Sequence, residues 1–92
     1  MIELRPEVAV FAELMELKLR KHDARRGQSW KNDGTLPLLR RVNDEQGELL
    51  QAYIDGSSRE VILEAVDLAN FAMMIADING SCELLFPELG QE

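Results

Sequence analysis

The chain has 92 residues, a formal charge of −7, 46% apolar residues and a single cysteine. Its length bounds it to one domain, residues 1–92; its apolar content excludes a disordered chain, and its acidic balance argues against generic nucleic-acid binding. Cys82 alone makes neither an internal disulfide nor a cysteine metal cluster, so a reducing cytoplasm is the expected compartment.

The opening segment, MIELRPEVAVFAEL, carries acids where a secretory leader has bases, and no leader is expected. Pro6 suits the first turn of a helix predicted to run to about His22. Leu4, Val8, Phe11, Met15 and Leu19 recur at helical spacing and predict one buried stripe. Next comes DARRGQSWKNDGT, read as a loop of about twelve residues, longer than a helix connection needs and of a length often tied to function. Eight of the ten basic residues fall between Lys18 and Arg41, making that window net positive inside an acidic chain. It reads either as an anion-attracting rim or as solvated helix ends and loop.

A second helix is predicted from Thr35, with Pro37 in its first turn, to about Ile54. DGSS then forms a tight turn, and Ser57 with Glu60 makes a capping box for a third helix that ends near Asn79 and Gly80. The tail SCELLFPELGQE is expected to add at most a short helical turn. No alternating strand pattern is present, so the fold class is all-α. The expected architecture is an antiparallel bundle of three main helices plus a short C-terminal segment.

Four carboxylates stand out. Val61, Glu64, Leu68, Phe71, Ile75 and Ile78 form one stripe of the third helix, with Asp67 in the neighbouring row. Leu38, Val42, Glu45 and Leu49 form a stripe of the second, with Glu48 one turn beyond Glu45. Folding the two helices back at Gly56 pairs positions whose numbers have a constant sum. Glu45 then faces Asp67, Glu48 faces Glu64, and all four acids share one level of the hairpin. Anions gathered on a partly buried face need a remedy, because a charge removed from water otherwise shifts its pKa until it is neutral. Arg40, Arg41 and Arg59 are near enough in sequence to pair with them; otherwise a hard divalent cation binds. Oxygen-only ligands favour Mg²⁺, with Mn²⁺ as the alternative, over zinc. A di-iron bundle needs Glu-x-x-His pairs, and His22, the lone histidine, lies elsewhere.

DEQGE (residues 44–48) followed by EAVD (residues 64–67) resembles the signature of the MazG-like superfamily of all-α nucleotide pyrophosphatases, Glu-Glu-x-x-Glu and then Glu-x-x-Asp on the next helix. LEAVDLANFAMMIAD is similar to small members of that superfamily, and the likeness is strongest over residues 30–78. Asp44 departs from the usual glutamate at the first motif position, which is not a principal ligand. The resemblance implies a nucleoside triphosphate pyrophosphohydrolase that splits the α–β phosphoanhydride of a (d)NTP to give (d)NMP and pyrophosphate. It implies Glu45, Glu48, Glu64 and Asp67 as Mg²⁺ ligands and a homodimer or homotetramer as the working form. In that frame Glu45, the first choice, or Glu48 acts on the attacking water. Lys18, Lys21, Arg25, Arg26 and Lys31 are candidates to clamp phosphates. Trp30 either stacks on a base or anchors the loop, and Asn70 either bonds the substrate or satisfies a neighbouring backbone group.

Two further features predict assembly. A chain this short buries only about 60% of its unfolded surface when it folds alone. From Val61 to Ile78 only Glu64, Asp67, Asn70 and Asp77 interrupt an apolar run, so that helix needs cover on several sides. Its carboxylates make a membrane span costly, which leaves subunit packing as the expected solution. Two alternatives to a house-cleaning or pool-controlling pyrophosphohydrolase stay in play: a non-catalytic helical interaction module with a structural metal site, and phosphoribosyl-ATP pyrophosphatase. The second ranks low because DLANFAMM has no histidine after its aspartate.

Overall fold

The computed structural model describes residues 2–84. Within them α1 spans Pro6–Arg26, α2 Thr35–Ile54, α3 Ser58–Ile78 and α4 Ser81–Leu84, with a 3₁₀ turn at Ser29–Asn32. No strand occurs among the described residues, and the architecture is an all-α bundle. The tail beyond Leu84 lies outside the described residues.

α1 begins as the proline predicts, with Pro6 in its first turn behind an extended Arg5. It runs one turn further than His22. Asp23, Ala24, Arg25 and Arg26 continue the helix, and Arg25 and Arg26 sit in the last turn, where cations favour the exposed carbonyl ends. Gly27 stops it, with φ of 60° and its N–H on the Asp23 carbonyl at 2.9 Å. The first four residues of the expected loop are therefore helix, and its middle is wound into the 3₁₀ turn that carries Trp30.

The α2–α3 hairpin follows the sequence closely. Asp55 and Gly56 make the turn, Gly56 with φ of 77°, a conformation that suits glycine. Ser57 caps α3, its Oγ accepting the Glu60 N–H at 3.1 Å. At the far end the Asn79 side-chain amide donates to the Ile75 carbonyl at 2.8 Å and to Thr35 Oγ1 at 3.1 Å, tying the end of α3 to the start of α2. The hairpin is thus fastened at both ends.

α3 packs on both α1 and α2. Its fully buried line is Val66, Asn70 and Met74, a step of four. The predicted stripe of Val61, Glu64, Leu68, Phe71, Ile75 and Ile78 is only half-buried on either side of that line. A helix gripped by two neighbours buries deepest the row that faces both, and the sequence alone did not show where α1 would lie. On α2 Leu38 and Glu45 of the expected row are buried, Val42 and Leu49 are half-buried, and Ala52 is buried one turn further on. Trp30, Leu38 and Met74 form one core cluster, joined at its edge by Leu19, Phe71 and Ile78. α1 departs most from expectation. Phe11, Met15 and Leu19 are half-buried, but Leu4 and Val8 are exposed and no residue of the helix is fully buried.

Candidate metal centre and adjoining cleft

Glu45 and Glu48 leave α2 one turn apart, and Glu64 reaches them from α3. One carboxylate oxygen from each lies within 4.8 Å of the others. Oxygens around Mg²⁺ are about 2.9 Å apart when adjacent and about 4.2 Å when opposed, so the three must draw inward to close on a cation. Glu45 is the deep member at 5% exposure, Glu64 is half-buried and Glu48 is exposed. Glu45 Oε2 and Glu64 Oε2 are buried without a hydrogen-bond partner among the described residues. Orphaned anionic oxygens of this kind are costly unless something positive or a proton meets them.

The electrostatics reflect that cost. Burial pushes the Glu45 carboxyl up to about 8, helped by its close contacts with Glu48 and then Glu64 and by the charges of Glu48 and Asp67. Glu64 is also raised, first by burial; its contact with Glu45 works the other way, while Glu48 and Asp67 add to the rise. The group therefore carries a proton near neutrality that a divalent cation would displace. Its all-oxygen donor set and unpartnered oxygens fit a hard cation such as Mg²⁺ or Mn²⁺.

Asp67 is placed differently from expectation. Its Oδ1 lies 3.1 Å from Lys18 Nζ on α1, outside the close group of three glutamates, although its charge still acts on Glu45 and Glu64. Of the expected facing pairs, Glu48 and Glu64 do meet, with Glu45 joining them as a third member, whereas Asp67 pairs with Lys18 instead of Glu45. Side chains on a helix lean toward its N-terminus, so equal level does not fix which oxygens meet.

Beside the carboxylates opens a cleft of about 450 Å³. Its lining includes Arg25 and Arg26 from the last turn of α1, Trp30 from the 3₁₀ turn, Arg41 from α2 and Phe71 from α3. Three guanidinium groups beside two aromatic rings suit an anion attached to an apolar or planar body. Of the predicted phosphate clamps, Arg25 and Arg26 belong to this cleft. Lys18 is committed to Asp67, Lys21 is exposed and outside the lining, and Lys31 lies 5.4 Å over the Trp30 ring. Trp30 itself is 9% exposed and packs on Leu38 and Met74, so anchoring takes most of its surface. Asn70, 5% exposed, donates its amide to the Met15 carbonyl at 3.2 Å, which pins α3 to α1; it is not part of the cleft lining.

Three lining residues were not assigned to a substrate site by the sequence: His22, Arg41 and Phe71. Arg41, expected only as a possible partner of the acids, lies 3.7 Å from Glu45, and Phe71 is expected only in the apolar stripe of α3. Arg41 had a detectable signal, its position one turn before Glu45. His22 had none, because its role follows from where α1 ends. Its Nδ1 lies 3.9 Å from Asp23 Oδ1, and neither atom has a hydrogen-bond partner among the described residues.

No helix among the described residues is long and apolar enough to cross a membrane. No family model, curated protein or solved structure matches the chain.

Proposed function

We propose that this chain is a divalent-cation-dependent nucleoside triphosphate pyrophosphohydrolase, converting a (d)NTP to its monophosphate and pyrophosphate and working as a homo-oligomer. One observation carries the reading: a three-glutamate group with orphaned buried oxygens adjoins a cleft walled by Arg25, Arg26 and Arg41. Acids short of a cation stand next to a cleft whose three arginines can take an anion. A metal–polyphosphate satisfies both.

Glu45, Glu48 and Glu64, with Asp67 available once released from Lys18, would hold Mg²⁺ or Mn²⁺, which supplies neutralisation of phosphate oxygens and activation of the attacking water. Arg25 and Arg26 bind the phosphates farther from the glutamates through paired N–H donors. Trp30 and Phe71 give the cleft an apolar wall that excludes water from one side of the ligand. Glu45, the deepest of the carboxylates, would orient that water or take its proton through an oxygen that the cation leaves free.

The test is pyrophosphate release from a panel of ribo- and deoxynucleoside triphosphates, with Mg²⁺ and with a chelator. Chelator-sensitive release is expected; absence of turnover across the panel overturns the proposal. A second reading has its own observation. The Lys18–Asp67 and Arg41–Glu45 pairs offset part of the acidic charge with the protein's own bases, as suits a non-catalytic helical module. Metal uptake without turnover favours that module.

A further inference from the structure

We infer that Arg41 is a substrate-binding residue that exchanges Glu45 for a phosphate oxygen, coupling the carboxylate triad to the cleft. The inference deepens the pyrophosphohydrolase reading and rests on it.

Arg41 stands one turn before Glu45 on α2, so both side chains leave the same face of the helix. Its Nη2 is 3.7 Å from Glu45 Oε1. That is beyond the range of an N–H···O hydrogen bond, so the attraction is Coulombic and leaves its donors uncommitted to that carboxylate. The guanidinium carbon also lies 5.0 Å from the centre of the Phe71 ring, a cation–π contact from the facing helix. Phe71 therefore supports the planar group whichever anion it serves. The side chain of Arg41 is 56% exposed and that of Glu45 only 7%, which makes the arginine the partner free to turn.

Position supplies the second half of the argument. Among the described residues, Arg41 is the cleft-lining base that also reaches the triad; Arg25 and Arg26 line the same cleft without an ion pair to the glutamates. A polyphosphate bridging cleft and triad must pass its guanidinium. The arginine itself stays charged at any working pH, so it can serve an anion in the cleft whether or not Glu45 is protonated. A divalent cation on Glu45 and the guanidinium compete for one carboxylate, so occupation by the cation drives Arg41 toward the cleft. There its planar fork fits two oxygens of a phosphate, a geometry a lysine ammonium does not reproduce.

This exchange has a signature that a packing role lacks: removing the arginine moves metal affinity and anion affinity in opposite directions. The experiment compares wild type, Arg41→Gln and Arg41→Lys in Mn²⁺ binding followed by electron paramagnetic resonance, then in pyrophosphate binding by calorimetry at saturating Mn²⁺. Arg41→Gln is expected to tighten Mn²⁺ binding by about two- to fivefold, the value of a weak competing ion pair whose arginine is solvent-exposed. It is expected to weaken pyrophosphate binding by about tenfold or more, the loss of charge-assisted hydrogen bonds. Arg41→Lys returns Mn²⁺ affinity toward wild type while pyrophosphate stays weak. Wild-type protein that binds Mn²⁺ and pyrophosphate, with Arg41→Gln equal to it in both or weaker in both, overturns the role of Arg41 alone. Wild-type protein that takes up no Mn²⁺ overturns the metal reading and this inference together.

Discussion

Lys18 Nζ on α1 stands 3.1 Å from Oδ1 of Asp67 on α3, and this ion pair keeps Asp67 out of the glutamate triad. If Asp67 is a ligand, it must leave Lys18 to become one, and the lysine opposes metal uptake. Lys18→Met is then expected to tighten Mn²⁺ binding. Both side chains are about a third exposed, so losing the pair should cost only about 0.2–1 kcal/mol of stability. Calorimetric Mn²⁺ titration together with thermal melts checks both; an unchanged Mn²⁺ affinity removes Asp67 from the ligand set.

This pair also marks the boundary of what was legible in the residues. The α2–α3 hairpin was readable because its signals are local: Thr35 and Pro37 at one start, the Asp55–Gly56 turn, the Ser57 cap, and acids set in apolar rows. That sufficed to bring Glu45, Glu48 and Glu64 to one level. The placement of α1 was not local. Nothing in the spacing along the chain says that Lys18 meets Asp67, that the Asn70 amide meets the Met15 carbonyl, or that Arg25 and Arg26 remain helical and face Arg41 across a cleft. The buried line of α3 shifted to Val66, Asn70 and Met74 for the same reason.

The raised carboxyls predict an unusual pH profile. In the unfolded chain Glu45 ionises near 4.5, whereas in the folded chain it holds its proton up to about 8. Between those values the folded state binds the extra proton, so stability from this group is complete below 4.5 and is lost as pH rises through about 8. Glu64 shifts in the same direction. Melting in chelator should therefore fall from pH 5 to pH 8.5, and in a domain of this size each loss of about 1 kcal/mol lowers Tm by about 4–8 °C. Glu45→Gln should flatten the slope. A Tm that stays level in wild type would mean that the buried oxygens ionise without penalty.

Glu48→Gln and Glu64→Gln separate stability from activity. Each removes a negative charge from a crowded group, so Tm in chelator should rise or hold. Each also removes a proposed ligand, so pyrophosphate release should drop by at least about 100-fold, the upper end of what losing even an outer-sphere partner costs. Wild-type turnover in either variant would take that residue out of the metal site.

Trp30 tests whether the cleft wall is mainly scaffold. Its ring completes the cluster with Leu38 and Met74, so Trp30→Ala should cost about 3–5 kcal/mol. That is a large share of the roughly 5–15 kcal/mol that holds a small domain together. Trp30→Phe keeps most of the apolar contact and should fold. With the ring 9% exposed, little of it is left to stack on a base, and nucleotide KM should be unchanged in the phenylalanine variant. A clear rise in KM without a fall in kcat would assign the indole to base recognition instead.

The exposed apolar surface predicts assembly, and it has a location. Val10, Phe11 and Leu14 of α1 with Val61, Ile62 and Ala65 of α3 line a groove of about 540 Å³, on an α1 that buries no residue completely. Val10 is 60% exposed and Ile62 49%, which a chain of this length tolerates poorly on its own. A second copy laid over this groove would cover both helices at once. Val10→Glu combined with Ile62→Glu places two charges there without touching the glutamate triad or the arginine cleft. If copies pack through this groove, the double variant should be monomeric where the wild type is oligomeric in sedimentation velocity at micromolar concentration, with a lower Tm from loss of the interface; a monomeric wild type overturns the assembly. Should both proteins sediment as the same oligomer, the contact between copies lies on another face, with Leu39, Leu50 and Tyr53 of α2 the next apolar surface to charge.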